Sequence, residues 1–242
     1  MKHEAVAVFY DQIQQKFGND YESKRWFRSP VTRSHFKMAT QAILRVVDSI
    51  TYTNCLELGP GAGTWTKLLL TKHPNAKYTV LDISKTMLDI ARENLKETDG
   101  DITYIQSDFS TYAEGGSYDF FFSSRALEYI VDKDEAIAKI HNILAPNGEG
   151  VIITKNPRYW ADRLFMRTIP DLHKNQIAPG ALTALLTEKG FKVELVRPAT
   201  VTFPLCKSAR MNDMVFALLA HSWITPIHRL FAESYIVHFK KV

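Results

Sequence analysis

The amino-acid sequence predicts an α/β fold in which a mostly parallel sheet carries helices on both faces. Seven short runs rich in β-branched and aromatic residues alternate with segments of helical periodicity, as in doubly wound sheets. A glycine-rich turn follows the first run and an aspartate ends the second, and ligands of such folds bind at the carboxyl ends of the strands. The predicted strands cover 54–58, 78–82, 102–106, 118–122, 150–154, 191–196 and 235–239.

Length and composition favour one domain over 1–242. The 242 residues, of which 45% are hydrophobic, can bury one substantial core. The two cysteines, Cys55 and Cys206, match neither a disulfide framework nor a paired metal motif, so we expect a reducing, cytoplasmic location. The first residues lack the pattern of a secretory signal, and the apolar stretch 214–237 contains too many polar residues for a spanning helix.

Polar residues mark the starts of two helices. Asp132 is followed three positions later by Glu135, as in a capping box, and Ser84 can cap the helix that carries Met87. The Pro-Asn-Gly sequence at 146–148 should end the helix that begins after Asp132. Apolar residues at helical spacing predict two more helices before the first strand.

The turn after the first predicted strand contains the alternating glycines Gly59, Gly61 and Gly63. Glycine adopts positive φ at little cost and lets a ligand approach the backbone closely. Thr64 stands where the dinucleotide motif G-x-G-x-x-G has its third glycine, which disfavours a nicotinamide oxidoreductase. Asp82 ends the second strand, where a carboxylate can accept hydrogen bonds from both hydroxyls of a ribose. These residues predict a site for an adenosine-containing cofactor.

Four segments in this part of the chain resemble the class I S-adenosylmethionine-dependent methyltransferases of the small-molecule type. They are LELGPGAG at 56–63, VLDIS at 80–84 with Met87 after it, IQSDF at 105–109 and LAPNGEG at 144–150. They follow the order and spacing of that family across 53–155. The resemblance implies a Rossmann-like, seven-stranded sheet whose last strand is antiparallel, with S-adenosylmethionine as cofactor and S-adenosylhomocysteine as product.

The resemblance also implies roles for individual residues. The glycines would pass under the methionine part, Glu57 would lie near its amino group and Asp82 would hold the ribose. Ile83 and Met87 would flank the adenine, and Asp108, beside Phe109, would accept a hydrogen bond from the adenine amino group. Alternatively, Ile83 and Met87 are ordinary core contacts and Asp108 starts a turn before Ser110. The implied cofactor-binding residues are Glu57, Gly59, Gly61, Gly63, Asp82, Ile83, Met87, Asp108, Phe109 and Ser124.

The family pattern further implies how the chain is organised. A helical cap at 1–50 would cover a cofactor-binding core at 51–155, and inserts at 156–179 and 203–231 would form the acceptor pocket. Within the cap, Arg25 and Trp26 are candidates to cover the ligands. The structural alternative is that Trp26 packs the cap onto the core.

Charge is distributed unevenly along the chain. Residues 155–242 carry a net charge of +7, whereas residues 1–154 carry −3. This asymmetry indicates either an anionic methyl acceptor or a solvated basic surface. Forked guanidinium groups suit carboxylate or phosphate recognition, and the candidate substrate-binding residues are Arg25, Trp26, Arg125, Arg158, Arg163 and Arg167.

Methyl transfer from a sulfonium mainly requires that the acceptor is aligned behind the methyl group and that water is excluded. An acceptor that must lose a proton also needs a general base. Glu128 is the first candidate, with His173 and Tyr159 as competitors. The alternative is that Glu128 is a structural carboxylate paired with Arg125. No cluster has convincing metal-ligand spacing, so we expect no metal.

We therefore expect methyl transfer to a small-molecule, lipid-linked or sugar-linked acceptor that is anionic. The alternatives are an RNA methyltransferase and a non-catalytic protein that binds the cofactor. The first is disfavoured because 123–126 reads Ser-Ser-Arg-Ala where amino-methylating nucleic-acid enzymes carry an Asn- or Asp-Pro-Pro-aromatic motif. Any membrane contact would be peripheral, through 216–231, and the sequence carries no prediction of oligomeric state.

Overall fold

The computed structural model describes residues 2–17, 21–113, 117–157, 159, 174–203, 208–220, 228 and 231–242, with the backbone alone for 2–4 and 13–17. The helices are α1 (Lys2–Phe17), α2 (Pro30–Val47), α3 (Thr64–Lys72), α4 (Lys85–Leu95), α5 (Lys133–Ile143), α6 (Pro179–Glu188) and α7 (Ala209–Leu219). A π-helical segment, Ser23–Phe27, precedes α2, and a 3₁₀ turn, Leu127–Tyr129, precedes α5. The strands are β1 (Asn54–Leu58), β2 (Lys77–Asp82), β3 (Asp101–Gln106), β4 (Tyr118–Ser124), β5 (Leu144–Lys155), β6 (Phe191–Val201) and β7 (Ala232–Lys241).

The seven strands form one sheet in the order β3-β2-β1-β4-β5-β7-β6. The pairs among the first five strands are parallel, whereas β7 is antiparallel to both of its neighbours, β5 and β6. The predicted fold class is thus confirmed, including the antiparallel last strand. The parallel strands direct their carboxyl ends to one edge, which is where the site lies.

Strand β5 begins earlier than the sequence predicts. Helix α5 ends at Ile143 and the chain becomes extended at Leu144, which pairs with Tyr118 of β4. The register then shifts, because Asn147 adopts a left-handed conformation with φ of 62°. The prediction that 146–148 ends the helix was wrong: this turn is a bulge inside β5, since pairing with β4 has already begun.

The two predicted helix caps are present. The Ser84 side chain accepts a hydrogen bond from the Met87 N–H at 3.2 Å, and Asp132 accepts one from the Glu135 N–H at 2.9 Å. Each bond satisfies an N–H that has no partner within its helix.

Two apolar cores cover the two faces of the sheet. Phe121 of β4 lies in the same core as Ile137 of α5, whereas Phe120 and Phe122 lie in the core that contains Ile43 of α2. Successive side chains of a strand point to opposite faces, so β4 is buried on both sides. Helix α2 thereby becomes part of the main fold instead of a loose N-terminal extension.

Within the described ranges, no helix has both the length and the apolar character that a membrane crossing requires. Phe216 is buried in a small core with Met38 and Val201, while 221–227 and 229–230 lie outside the described residues. The peripheral membrane contact and the cytoplasmic location stay predictions. Across the same described part of the chain, no three His, Cys, Asp or Glu side chains come together as metal ligands.

Candidate cofactor and acceptor site

A cavity lies at the carboxyl ends of the central strands, where ligands of such α/β folds bind. The ends of β1, β2 and β4 form its floor, and Val6, Tyr10 and the segment around Arg25 cover it from the N-terminal side. Among the predicted binding residues, those that line the cavity are Gly59, Gly61, Asp82, Ile83, Met87, Asp108, Phe109, Ser124, Arg25, Trp26 and Arg125.

The glycine turn is shaped by two different requirements. Gly59 has φ of 71°, and a Cβ there would lie 2.5 Å from the Ala126 Cβ. Gly61 has φ of 56°, but a Cβ there would meet no atom within 4 Å. Packing therefore requires Gly59, whereas at Gly61 the missing side chain keeps space in the cavity. Gly63 caps α3 and lies outside this cavity.

Asp82 is half-buried at the end of β2. Its Oδ1 accepts a hydrogen bond from the Ser84 N–H at 3.0 Å. Burial raises the pKa of the Asp82 carboxyl to about 6, although N–H groups of Ser84, Gly61 and Ile83 partly oppose that rise. The carboxylate is thus held by the backbone and faces the cavity from a fixed position, as a ribose partner should.

Asp108 lines the cavity and also starts the turn that the alternative interpretation predicts. Its Oδ1 accepts hydrogen bonds from the Ser110 N–H at 2.9 Å and the Ser110 hydroxyl at 2.8 Å. These bonds fix the orientation of the carboxyl group at the cavity wall. The role of Asp108 toward the adenine stays a prediction.

Glu57 does not line the cavity. It is 1% exposed and accepts a hydrogen bond from the Thr66 hydroxyl of α3 at 2.7 Å. Burial raises the pKa of Glu57 to about 7. The structure therefore places Glu57 between β1 and α3, behind the glycine turn, and its contact with the methionine amino group stays a prediction.

Arg125 and Glu128 lie next to each other after β4. Arg125 lines the cavity in a left-handed conformation, with φ of 68°, and its N–H donates to the Ile153 carbonyl at 2.8 Å. Its guanidinium forms an ion pair with Glu128, which is completely buried. The structure thus contains the Arg125–Glu128 pair that the alternative interpretation predicts. Positive φ in a residue other than glycine is common at functional sites, and the role of Glu128 as a base stays a prediction.

The other candidate bases are Tyr159 and His173. Tyr159 is buried, its hydroxyl donates to the Thr202 carbonyl at 3.0 Å and it does not line the cavity. The remaining predicted residues, His173, Arg158, Arg163 and Arg167, lie outside the described part of the chain.

Two polar residues of the cavity, Glu22 and Tyr129, were not identified by the sequence analysis. Glu22 lines the wall and accepts a hydrogen bond from the Thr64 hydroxyl, and Tyr129 lines it beside Arg125. The Tyr129 hydroxyl lies 2.9 Å from that of Tyr10, which is on α1. No local signal identifies Glu22 or Tyr129, because both contacts join distant parts of the sequence.

Residues 55–148 match the model of a methyltransferase domain family. This part of the chain is a class I methyltransferase domain, and its cofactor is S-adenosylmethionine. The residues present fit S-adenosylmethionine, since Gly61 leaves room at the backbone and Asp82 offers a carboxylate to a ribose.

Curated relatives of this methyltransferase domain include two that are named for their acceptors. Malonyl-[acyl-carrier protein] O-methyltransferase 1 of Ilyobacter polytropus is 28% identical over 144 residues, which are 58% of this chain and 53% of that protein. A trans-aconitate 2-methyltransferase of Escherichia coli is 27% identical over 214 residues, which are 84% of this chain and 81% of that protein. The chain spans about half the length of the malonyl and demethylmenaquinone relatives that it matches.

Solved methyltransferase structures share the fold. The N-methyltransferase NodS from Bradyrhizobium japonicum WM9, in complex with S-adenosylhomocysteine, has a TM-score of 0.64 at 19% identity. The alignment covers 96% of this chain and 97% of NodS.

Proposed function

We propose that this protein is an enzyme that transfers the methyl group of S-adenosylmethionine to a carboxylate oxygen of a small acid. The observation that carries the proposal is the cavity itself. One wall holds Asp82 and Asp108 at the ends of the cofactor-binding strands, and another holds the guanidinium groups of Arg25 and Arg125. Donor and anionic acceptor can therefore meet in one cavity.

The contacts of the two candidate bases that the structure describes support a carboxylate as the methyl acceptor. Glu128 is engaged by Arg125, and the Tyr159 hydroxyl donates to a carbonyl outside the cavity. A carboxyl group with an ordinary pKa of about 4 is already deprotonated at neutral pH, so it needs no base to become a nucleophile. The two relatives named for malonyl-acyl-carrier protein and trans-aconitate, both acids, support the same class of acceptor.

Each wall of the cavity has a part in the proposed reaction. The cofactor supplies a methyl group that is bonded to a sulfonium sulfur. When the carboxylate oxygen forms the new C–O bond, the C–S bond breaks and the sulfur is left as a neutral thioether. Asp82 orients the ribose by accepting hydrogen bonds from its hydroxyls, and Gly61 lets the cofactor approach the backbone. Arg125 holds the attacking carboxylate in line by its charge, and Tyr10 and Trp26 exclude water.

The test measures S-adenosylhomocysteine release with a panel of carboxylic acids, each compared with its primary amide. We expect turnover of at least one acid, none of its amide, and a product that mild base hydrolyses as a methyl ester. Alcohols, amines and unmodified RNA serve as further substrates. Methylation confined to any of these would contradict the proposal, and cofactor binding without turnover of any substrate would favour the non-catalytic alternative.

A further inference from the structure

The two guanidinium groups of the cavity have different partners. Arg125 is paired with the buried carboxylate of Glu128. Arg25 instead donates to the Tyr21 hydroxyl at 3.0 Å and lies over the Trp26 ring at 4.8 Å. In the described ranges, Arg25 forms no ion pair, so its neighbours within hydrogen-bonding distance are neutral.

A half-buried cation without a paired carboxylate is costly to the protein alone. The nearby acid Glu22 attracts the charge of Arg25 and contributes to the raised pKa of its guanidinium, but Glu22 accepts a hydrogen bond from Thr64 and, among the described residues, forms no ion pair with Arg25. The charge of Arg25 also lies close enough to Arg125 to repel it. An anion that entered the cavity beside Arg25 would relieve both effects.

The groups around Arg25 are donors of the kind that a carboxylate accepts. The hydroxyls of Tyr10 and Tyr129 lie 2.9 Å apart in the same cavity. Burial is the main cause that raises the pKa of each, so both stay protonated at neutral pH. Trp26 keeps its indole N–H buried and, among the described residues, without a hydrogen-bond acceptor. This wall therefore offers several hydrogen-bond donors, while the Glu22 carboxylate on the same wall is engaged by the Thr64 hydroxyl.

We infer that Arg25, with Tyr10 and Tyr129, binds a second carboxylate of the acceptor, one that is not methylated. The inference rests on the proposed function and extends it: the acceptor is an acid with at least two carboxylates, one at Arg125 beside the methyl group and one at Arg25. The planar guanidinium, stacked on Trp26 by its face, presents its N–H groups at the edge, where a planar carboxylate can bind them in pairs.

The experiment compares linear dicarboxylic acids, from malonate to adipate, with the monocarboxylic acids of the same chain length. Binding to the protein saturated with S-adenosylhomocysteine is measured by calorimetry, and turnover is measured separately with S-adenosylmethionine. We expect at least one diacid to bind about tenfold or more tightly than its monoacid, the effect of one additional charged hydrogen-bonded pair.

Arg25→Gln should remove the preference for the diacid and leave the affinity for S-adenosylhomocysteine and for the monoacid unchanged. Arg25→Lys should restore part of it. Arg28→Gln is the matched control, because Arg28 is exposed on the same segment and does not line the cavity. Unchanged cofactor binding in each variant shows that the fold is intact. Cofactor binding that weakens in Arg25→Gln but not in Arg28→Gln would assign Arg25 to the carboxylate of the cofactor and overturn the inference.

Each outcome separates the inference from the proposed function. Equal binding of diacids and monoacids, or a diacid preference that survives in Arg25→Gln, would overturn the inference and leave carboxylate methylation standing. A diacid that binds through Arg25 without being methylated would support the inference and contradict the proposed function. If neither class of acid binds, the inference fails directly.

Discussion

At the scale of single residues, Asp82 and Glu57 show how the position of a carboxyl group decides whether it can reach a ligand. Burial raises the pKa of both, but Asp82 is held by backbone N–H groups at the cavity wall, whereas Glu57 is held by the Thr66 hydroxyl behind it. We therefore expect Asp82 to couple cofactor binding to pH directly.

We predict that the affinity for S-adenosylhomocysteine falls as pH falls through about 6, the pKa of Asp82. The charged carboxylate accepts the ribose hydroxyls and exists above that pKa, so protonation weakens binding by about tenfold per pH unit below it. Calorimetry between pH 5 and 8 measures the effect.

In Asp82→Asn, the affinity should be lower at pH 8 and should lose this dependence below pH 6. Asp89→Asn is the control, because Asp89 forms only exposed ion pairs on α4. A wild-type profile that stays flat down to pH 5 would contradict the assignment of Asp82 to the ribose.

At the scale of local elements, the glycine turn separates a packing requirement from a binding requirement. Gly59→Ala brings a Cβ against Ala126, whereas Gly61→Ala meets nothing in the protein. Both substitutions place a side chain at positive φ, which costs about 1–2 kcal/mol.

We predict that Gly61→Ala folds with a modest loss of stability but binds S-adenosylhomocysteine at least about tenfold more weakly, since its Cβ occupies cavity space. Gly59→Ala should lower the melting temperature further. Gly180→Ala, in the first turn of α6 with open space around it, is the neutral control. Wild-type affinity in Gly61→Ala would show that no ligand approaches this turn.

Hydrogen bonds to Tyr129 and Ser84 attach helix α1 over the cavity. The Tyr10 hydroxyl bonds with that of Tyr129, and the Ser84 hydroxyl donates to Asp11 at 3.1 Å. The first contact connects this helix to the 3₁₀ turn after β4, so it joins the cover of the cavity to the predicted acceptor wall.

We predict that Tyr10→Phe increases amide hydrogen exchange across α1 by about threefold to tenfold, the effect of one lost hydrogen bond of about 1 kcal/mol. Tyr52→Phe removes an equivalent bond, 3.0 Å to Tyr78, inside the sheet region, and should leave exchange in α1 unchanged. Equal exchange in both variants would mean that Tyr10 does not hold the helix.

At the scale of the whole molecule, the sheet connects two cores into one structure. Ile43 of α2 and Ile137 of α5 are completely buried on opposite faces, and β4 contributes to both cores. The N-terminal helix α2 is therefore part of the same packing as the cofactor-binding strands.

We predict that the full chain unfolds in a single transition. Ile43→Ala and Ile137→Ala should each destabilise that transition by about 2–5 kcal/mol, because each leaves a cavity in a close-packed core. Far-ultraviolet circular dichroism and tryptophan fluorescence should report the same midpoint. Two separated transitions, with each variant affecting a different one, would contradict the single-domain prediction.

Much of the architecture follows from local sequence. The β-branched runs locate all seven strands, and the capping residues Ser84 and Asp132 locate two helix starts, because these signals act within a few residues. The start of β5 was missed since pairing with β4, and not the local Pro-Asn-Gly signal, ends α5. Long-range pairing overrides turn chemistry there.

For this protein, the sequence alone determined the glycine turn, the acids that follow the strands and hence the identity of the donor, because those residues lie along short continuous segments. Only the tertiary structure decided which guanidinium has a counter-ion. Arg125 meets Glu128 three residues away, whereas Arg25 lies near Tyr10 of α1 and near Arg125, which is 100 positions distant in the sequence. Such contacts depend on how the helices pack over the sheet, and no pattern of neighbouring residues encodes them.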